Sequence, residues 1–142
     1  MDPNVVTLAW DPAGSTGRRF EAHSRRGDTV TMDSGPEARH GTPVDLVLEA
    51  LGACSGMDVL DILRKKRQEV TAYELHVEGV RRDEHPRVFT RIEVVHRLRG
   101  RGVDPAAVAH AIELSDTKYC TVHGILAAAG CELTSRYEIE EA

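Results

Sequence analysis

No run of apolar residues in the sequence is long enough to cross a bilayer, and the opening Met1-Asp2-Pro3-Asn4 carries no basic segment leading into an apolar one. The expectation is a cytoplasmic protein with no membrane partner. A basic excess is missing as well. The net charge of -5 and a pI near 5.8 provide no field to gather phosphate backbones, so nucleic acid is not expected as a partner. Cysteine is scarce: Cys54, Cys120 and Cys131 are odd in number and far apart, unlike the framework of a small secreted domain. A reducing compartment suits them. No two form a Cys-x-x-Cys pair, which excludes a thioredoxin-type motif and a four-thiolate zinc site. Gly100-Arg101-Gly102 lacks the rest of a dinucleotide fingerprint, and no phosphate-loop pattern occurs, so no cofactor is expected. Internal repeats, heptads and low-complexity tracts are absent too.

What is present reads as one domain over residues 1–142, long enough to close a single sizeable core. Val5 to Trp10, Arg19 to Ala22 and Thr29 to Met32 are β-prone runs separated by turn residues, which predicts three short antiparallel strands. Thr42, Pro43 and Asp45 form a helix start with an N-cap hydroxyl, Pro at the first position and an acid in the first turn. The helix is expected to run to about Gln68, where Lys65, Lys66 and Arg67 suit the negative end of its dipole. Its apolar positions cover so much of the circumference that the first half must be buried on most sides. Val70 to Arg81 and Val88 to Leu98 alternate as a hairpin, with Val88, Thr90, Ile92 and Val94 on one face. Asp104-Pro105 opens a second helix, Ser115 to Tyr119 interrupts it, and a short helix follows from about Cys120 to Ala129. Gly130 is its expected left-handed C-cap. Leu133 to Ile139 alternate along a last strand. This order predicts an α+β domain.

Two features of the long helix bear on chemistry. Ala50, Gly52, Ala53, Cys54, Ser55 and Gly56 are all small, and Gly costs about 1 kcal/mol relative to Ala inside a helix. Something must approach the backbone closely: another helix, including one from a second subunit, a substrate beside Cys54, or both. Cys54 itself lies in apolar surroundings that raise a thiol's pKa. Cys120, at a helix start, is expected to have its thiolate stabilised by exposed N–H groups, and Cys131 reads as a small core residue. Asp58 lies one helical turn beyond Cys54 on the same face. An acid there opposes ionisation of the thiol, so an active Cys54 needs a cation, for which Arg18, Arg19 and Arg39 are available. Asp45 has a sufficient role in the first helical turn. Cys120 and His123 could supply two zinc ligands, but His40, His76, His85, His96 and His110 offer no matching second pair, and no metal is expected.

With Gly17-Arg18-Arg19-Phe20, the Thr42-Pro43-Val44-Asp45-Leu46 helix entry, the stretch Leu51-Gly52-Ala53-Cys54-Ser55-Gly56-Met57-Asp58-Val59 and a second cysteine at Cys120, the chain resembles the OsmC/Ohr family, in its OsmC-like branch. The resemblance implies antiparallel sheets around a long central helix in an intertwined homodimer. It also implies a thiol-dependent hydroperoxide reductase. Cys54 would attack the hydroperoxide, Cys120 would resolve the resulting sulfenic acid, and a thiol or dihydrolipoyl-type reductant would restore the pair. Arg18 or Arg19, with Arg39 as an outside candidate, would face the thiolate, and Asp45 would be the supporting acid. Two departures stand out: where better-known members have Glu after Pro, this sequence has Val44, with the acid displaced to Asp45, and Thr121 rather than Pro follows Cys120. A second reading is a non-enzymatic binding module for an apolar ligand or electrophile in a dimer-interface pocket.

Overall fold

The computed structural model describes residues 1–142. The chain forms two compact units, Met1–Val47 and Leu48–Ala142. In the first, strands β1 (Val6–Trp10), β2 (Phe20–Ser24) and β3 (Thr29–Met32) pair in that order, antiparallel throughout. The three predicted strands are all present. Phe20 is the hinge of their register, opposite Trp10 on one side and Met32 on the other. Val6, Leu8, Trp10, Phe20 and Val30 remain exposed, so this small sheet lacks an apolar core.

Helix α1 (Pro43–Lys65) begins at the predicted cap. The Asp45 backbone N–H donates to Thr42 Oγ1 at 3.1 Å while the Thr42 N–H donates to Asp45 Oδ2 at 3.0 Å, a reciprocal capping box. The helix stops three residues short of the predicted Gln68. Arg67 adopts φ 57, and the N–H groups of Arg67 and Gln68 close back on the carbonyls of Arg64 and Leu63. This is a Schellman ending built on a non-glycine residue, which only the backbone reveals.

In the second unit, β4 (Glu69–Arg81) and β5 (Phe89–Arg101) form the predicted antiparallel hairpin. The last strand departs from an all-antiparallel reading: β6 (Glu132–Glu141) pairs with β5 in parallel. Chain order explains it, because β6 is reached through helices α2 (Pro105–Leu114) and α3 (Thr121–Ala128), and a helical crossover returns a strand in the same direction. The buried face of β5 is also shifted along the strand. Thr90 is exposed, while Ile92, Val94, His96 and Leu98 point inward.

Helix α1 packs on this inner face. A Cβ on Gly52 would meet Val77 at 3.1 Å, and one on Gly56 would meet Leu75 at 3.1 Å. The small residues therefore admit strand β4 rather than a second helix. Two apolar clusters result. One joins Val59 and Leu63 to Leu98, Val108 and Ile112; the other joins Leu51 to Ile92, Val94, Cys120 and Cys131. Fully burying one such aliphatic side chain contributes about 1.5–3 kcal/mol.

Between α2 and α3, Ser115–Tyr119 continues the helix as a wide π turn instead of interrupting it. The Cys120 N–H reaches the Ser115 carbonyl at 2.9 Å, five residues back. Gly130, at φ 87, ends α3 in the left-handed conformation expected of it.

Candidate active site

Cys54 and Asp58 occupy successive turns of α1, and Cys120 is the N-cap of α3. The fold brings the three together: both sulfurs and an Asp58 carboxylate oxygen lie within 4.8 Å of one another. Cys54 is half-buried, whereas Cys120 is only 5% exposed. The carboxylate is held in place by the π turn. Ser115 Oγ donates to Asp58 Oδ2 at 2.9 Å and lies 3.4 Å from Ser55 Oγ, and both serines are buried.

The helix start at Cys120 does act on its sulfur, which accepts the His123 N–H at 3.3 Å. Burial outweighs it. Desolvation, then the hydrogen bond with Cys54 and the nearby Asp58 charge, push the Cys120 thiol up to about 12. The expectation of a stabilised Cys120 thiolate is therefore corrected: one N–H donor does not offset loss of water beside Cys54 and Asp58. Cys131 is buried in the same apolar cluster, as expected of a core residue, and burial raises its thiol too.

A further polar group starts from the π turn itself, at Asp116. Asp116 Oδ2 accepts from Ser135 Oγ at 2.8 Å, and His123 Nε2 lies 4.0 Å from Asp116 Oδ1. The His123 ring is thus aimed at Asp116, while only its backbone serves Cys120. Burial raises the Asp116 carboxyl against the opposing pull of Ser135 and His123. On the inner sheet face the Tyr73 hydroxyl and His96 Nδ1 are 2.5 Å apart, and His96 Nε2 finds no partner in the protein. Desolvation lowers His96 to about 4, so its ring is neutral near pH 7.

Arg18, Arg19 and Asp45 belong to the first compact unit. Arg19 Nε pairs with Asp33 Oδ2 at 3.4 Å, and its Nη1 lies 3.8 Å from Asp11. Asp33 is buried, accepts from the Thr16 hydroxyl and takes the Ser34 N–H at 2.8 Å. Arg18 is exposed, and its side chain donates only to Ser34 Oγ at 3.3 Å. It lines a mainly apolar hollow of about 300 Å³ with Leu8, Phe20, Met32 and Pro43. Asp45 is engaged by its capping box, so the displaced acid serves the helix start.

A family model described as OsmC-like protein matches residues 35–136, which span α1, both cysteines and most of the second sheet. The chain belongs to the OsmC-like family. Protein YhfA of Escherichia coli K12 is 39% identical over 123 residues, covering 87% of this chain and 91% of YhfA. A hypothetical protein from Aquifex aeolicus VF5 superposes with a TM-score of 0.86 at 30% identity, covering 100% of this chain and 99% of that one. An organic hydroperoxide resistance protein OsmC from Legionella pneumophila shares the fold, with a TM-score of 0.62 at 12% identity over 99% of this chain and 98% of that one. The α+β fold expected from the resemblance is thereby established. No helix is long and apolar enough to cross a membrane.

In this OsmC-like chain the sequence pointed to Cys54, Cys120 and Asp58 but not to Ser115 or Asp33. Ser115 lies 57 residues from Asp58 and reads as part of a polar interruption. Its one available signal is that Ser115-Asp116-Thr117 sits inside an otherwise apolar helical pattern. Asp33 opens a polar loop and looks like any loop acid until Thr16 and Arg19 close on it.

Proposed function

We propose that this single OsmC-like domain is a thiol-dependent hydroperoxide reductase that cycles through a Cys54–Cys120 disulfide and works as an intertwined homodimer. The observation that carries the reading is the approach of the Cys54 and Cys120 sulfurs to within 4.8 Å, with Cys54 the more accessible. The raised Cys120 thiol keeps its proton at neutral pH and can donate a hydrogen bond to a Cys54 thiolate. That division suits Cys54 to the attack and Cys120 to the later resolution.

Cys54 attacks the terminal oxygen of the hydroperoxide. An S–O bond forms, the O–O bond breaks, and the departing alkoxide leaves as the alcohol once protonated. The Cys120 sulfur then attacks the Cys54 sulfenic acid: the S–S bond forms, the S–O bond breaks, and Asp58 is available to take the Cys120 proton and pass it to the departing hydroxide, which leaves as water. A small-molecule dithiol or dihydrolipoyl-type protein returns two electrons and two protons to restore both thiols. Of the arginines proposed to support Cys54, Arg18 is favoured, because Arg19 is already held by Asp11 and Asp33. The dimer is supported by the exposed apolar side chains of the first sheet, with Met57 66% and Ile125 63% exposed in the second unit.

Cys54→Ser is expected to abolish hydroperoxide turnover with dithiothreitol as reductant. Cys120→Ser should still yield a Cys54 sulfenic acid that dimedone traps. Full turnover by Cys54→Ser sinks the reading and favours the binding-module alternative, as would an unreactive Cys54 with a co-purifying apolar molecule. A monomer by light scattering at micromolar concentration removes the dimer.

A further inference from the structure

Cys54, Cys120 and Asp58 converge with no cationic side chain to balance the carboxylate. Two thiols and a carboxylate lie within 4.8 Å of one another. Fully ionised, they would place three negative charges in a half-buried site, and Asp58 makes no ion pair with Lys, Arg or His; its contact is the Ser115 hydroxyl. A carboxylate beside a thiol works against a lone thiolate nucleophile. The same set is well suited to a soft divalent cation, whose charge removes that conflict.

We infer that Cys54, Asp58 and Cys120 form a three-ligand site for a thiophilic divalent cation such as Zn²⁺, with Ser115 orienting the carboxylate and the fourth position open to water or an exogenous ligand. The donors come from two rigid elements: Cys54 and Asp58 from the i, i+4 face of α1, and Cys120 from the N-cap of α3. Tetrahedral zinc with bonds of about 2.0–2.3 Å holds its donors roughly 3.3–3.8 Å apart, a contraction that side-chain rotation supplies. The Ser115 bond to Asp58, at 2.9 Å, is the outer-shell contact that fixes a ligating carboxylate. His123 does not complete the set, since its ring faces Asp116. Three protein ligands with an open position describe a labile or reactive site more than a closed structural one. Cys120 lies far along the chain from the Cys54–Asp58 pair, so spacing in the sequence gives no hint of the complete set. This site shares all three of its ligands with the peroxide cycle but does not depend on it.

The test is an anaerobic Co²⁺ titration of the full-length protein, reduced and stripped of metal. Thiolate ligation predicts near-ultraviolet sulfur-to-cobalt charge transfer, with tetrahedral visible bands saturating at one ion per chain and displaced by Zn²⁺. Cys54→Ser and Cys120→Ser should each remove about half of the charge-transfer intensity or abolish binding, and Cys131→Ser should change nothing. Asp58→Asn, which keeps the side-chain size, should weaken binding by about tenfold or more, as should Ser115→Ala. No charge-transfer band, or a band indifferent to Cys54→Ser, Cys120→Ser and Asp58→Asn, overturns the inference. Peroxide turnover by the metal-free protein without any band would overturn this site alone. A band without turnover would overturn the peroxide reading alone.

Discussion

The two compact units each bury a titratable side chain, Asp33 in the first and His96 in the second, and each has its pKa lowered for an opposite reason. Asp33 is buried as an anion: the Thr16 hydroxyl, the Ser34 N–H and Arg19 all favour its charged form, and they hold its carboxyl below the ordinary range despite desolvation. His96 is buried neutral: one ring nitrogen meets Tyr73, the other meets nothing in the protein, and desolvation alone drives it to about 4. The surroundings differ in the same sense. The first unit is organised by a polar knot under a sheet whose apolar side chains are exposed, and the second by two apolar clusters around α1 and the inner sheet face. Polar satisfaction fixes conformation where there is no core; a core tolerates an incompletely satisfied polar group, which acid can then attack.

The largest effect should come from the second unit's packing. Ile92→Ala, at a fully buried position, is expected to cost about 2–5 kcal/mol in urea unfolding. A loss below about 1 kcal/mol would mean that the core is not where the stability resides.

Acid should act next, and first through His96. Its folded pKa lies below the ordinary 6.5, so the unfolded chain binds the proton more readily. Stability from this group is fully present above pH 6.5 and is lost as pH falls toward 4, by about 3 kcal/mol in all. His96→Gln should flatten that limb of the unfolding profile. An unchanged slope would assign the acid sensitivity elsewhere.

Asp33 should respond in a lower window. Its contribution is present above the ordinary carboxylate value of 3.8 and is lost as pH falls through the lowered folded value. Asp33→Asn should therefore loosen the first unit near neutral pH, seen as faster amide exchange in β3, and remove its acid dependence below pH 3.8. Loss of protection in β5 instead would break the distinction between the units. The smallest effect is expected for Leu8→Ser, at a half-exposed strand position: about 0.5 kcal/mol or less in a dilute monomer. A larger loss that grows with protein concentration would show that a second copy covers this face.

Local signals in the sequence were sufficient for much of this architecture. The Thr42–Asp45 capping box, the Asp104-Pro105 start of α2 and the left-handed Gly130 each depend on a few adjacent residues, and each occurs where the pattern puts it. Cys54 and Asp58 were legible as a pair because helical spacing alone places them on one face. What depends on distant residues was not legible. The parallel pairing of β6, the burial that reverses the expected ionisation of Cys120, and the Ser115 bond to Asp58 all follow from how α2, the π turn and α3 fold back onto α1 and the sheet. The Schellman ending at Arg67 escaped for a different reason: glycine is the residue that usually marks it, and this chain has arginine there.

The most direct test of the central claim is peptide mass spectrometry of the reduced protein after one equivalent of cumene hydroperoxide, with hydrogen peroxide at the same dose alongside. The account predicts rapid formation of a peptide pair joined by a Cys54–Cys120 disulfide, with Cys131 left as a thiol. A Cys54 that stays reduced with both oxidants, or a disulfide that instead engages Cys131, would contradict it.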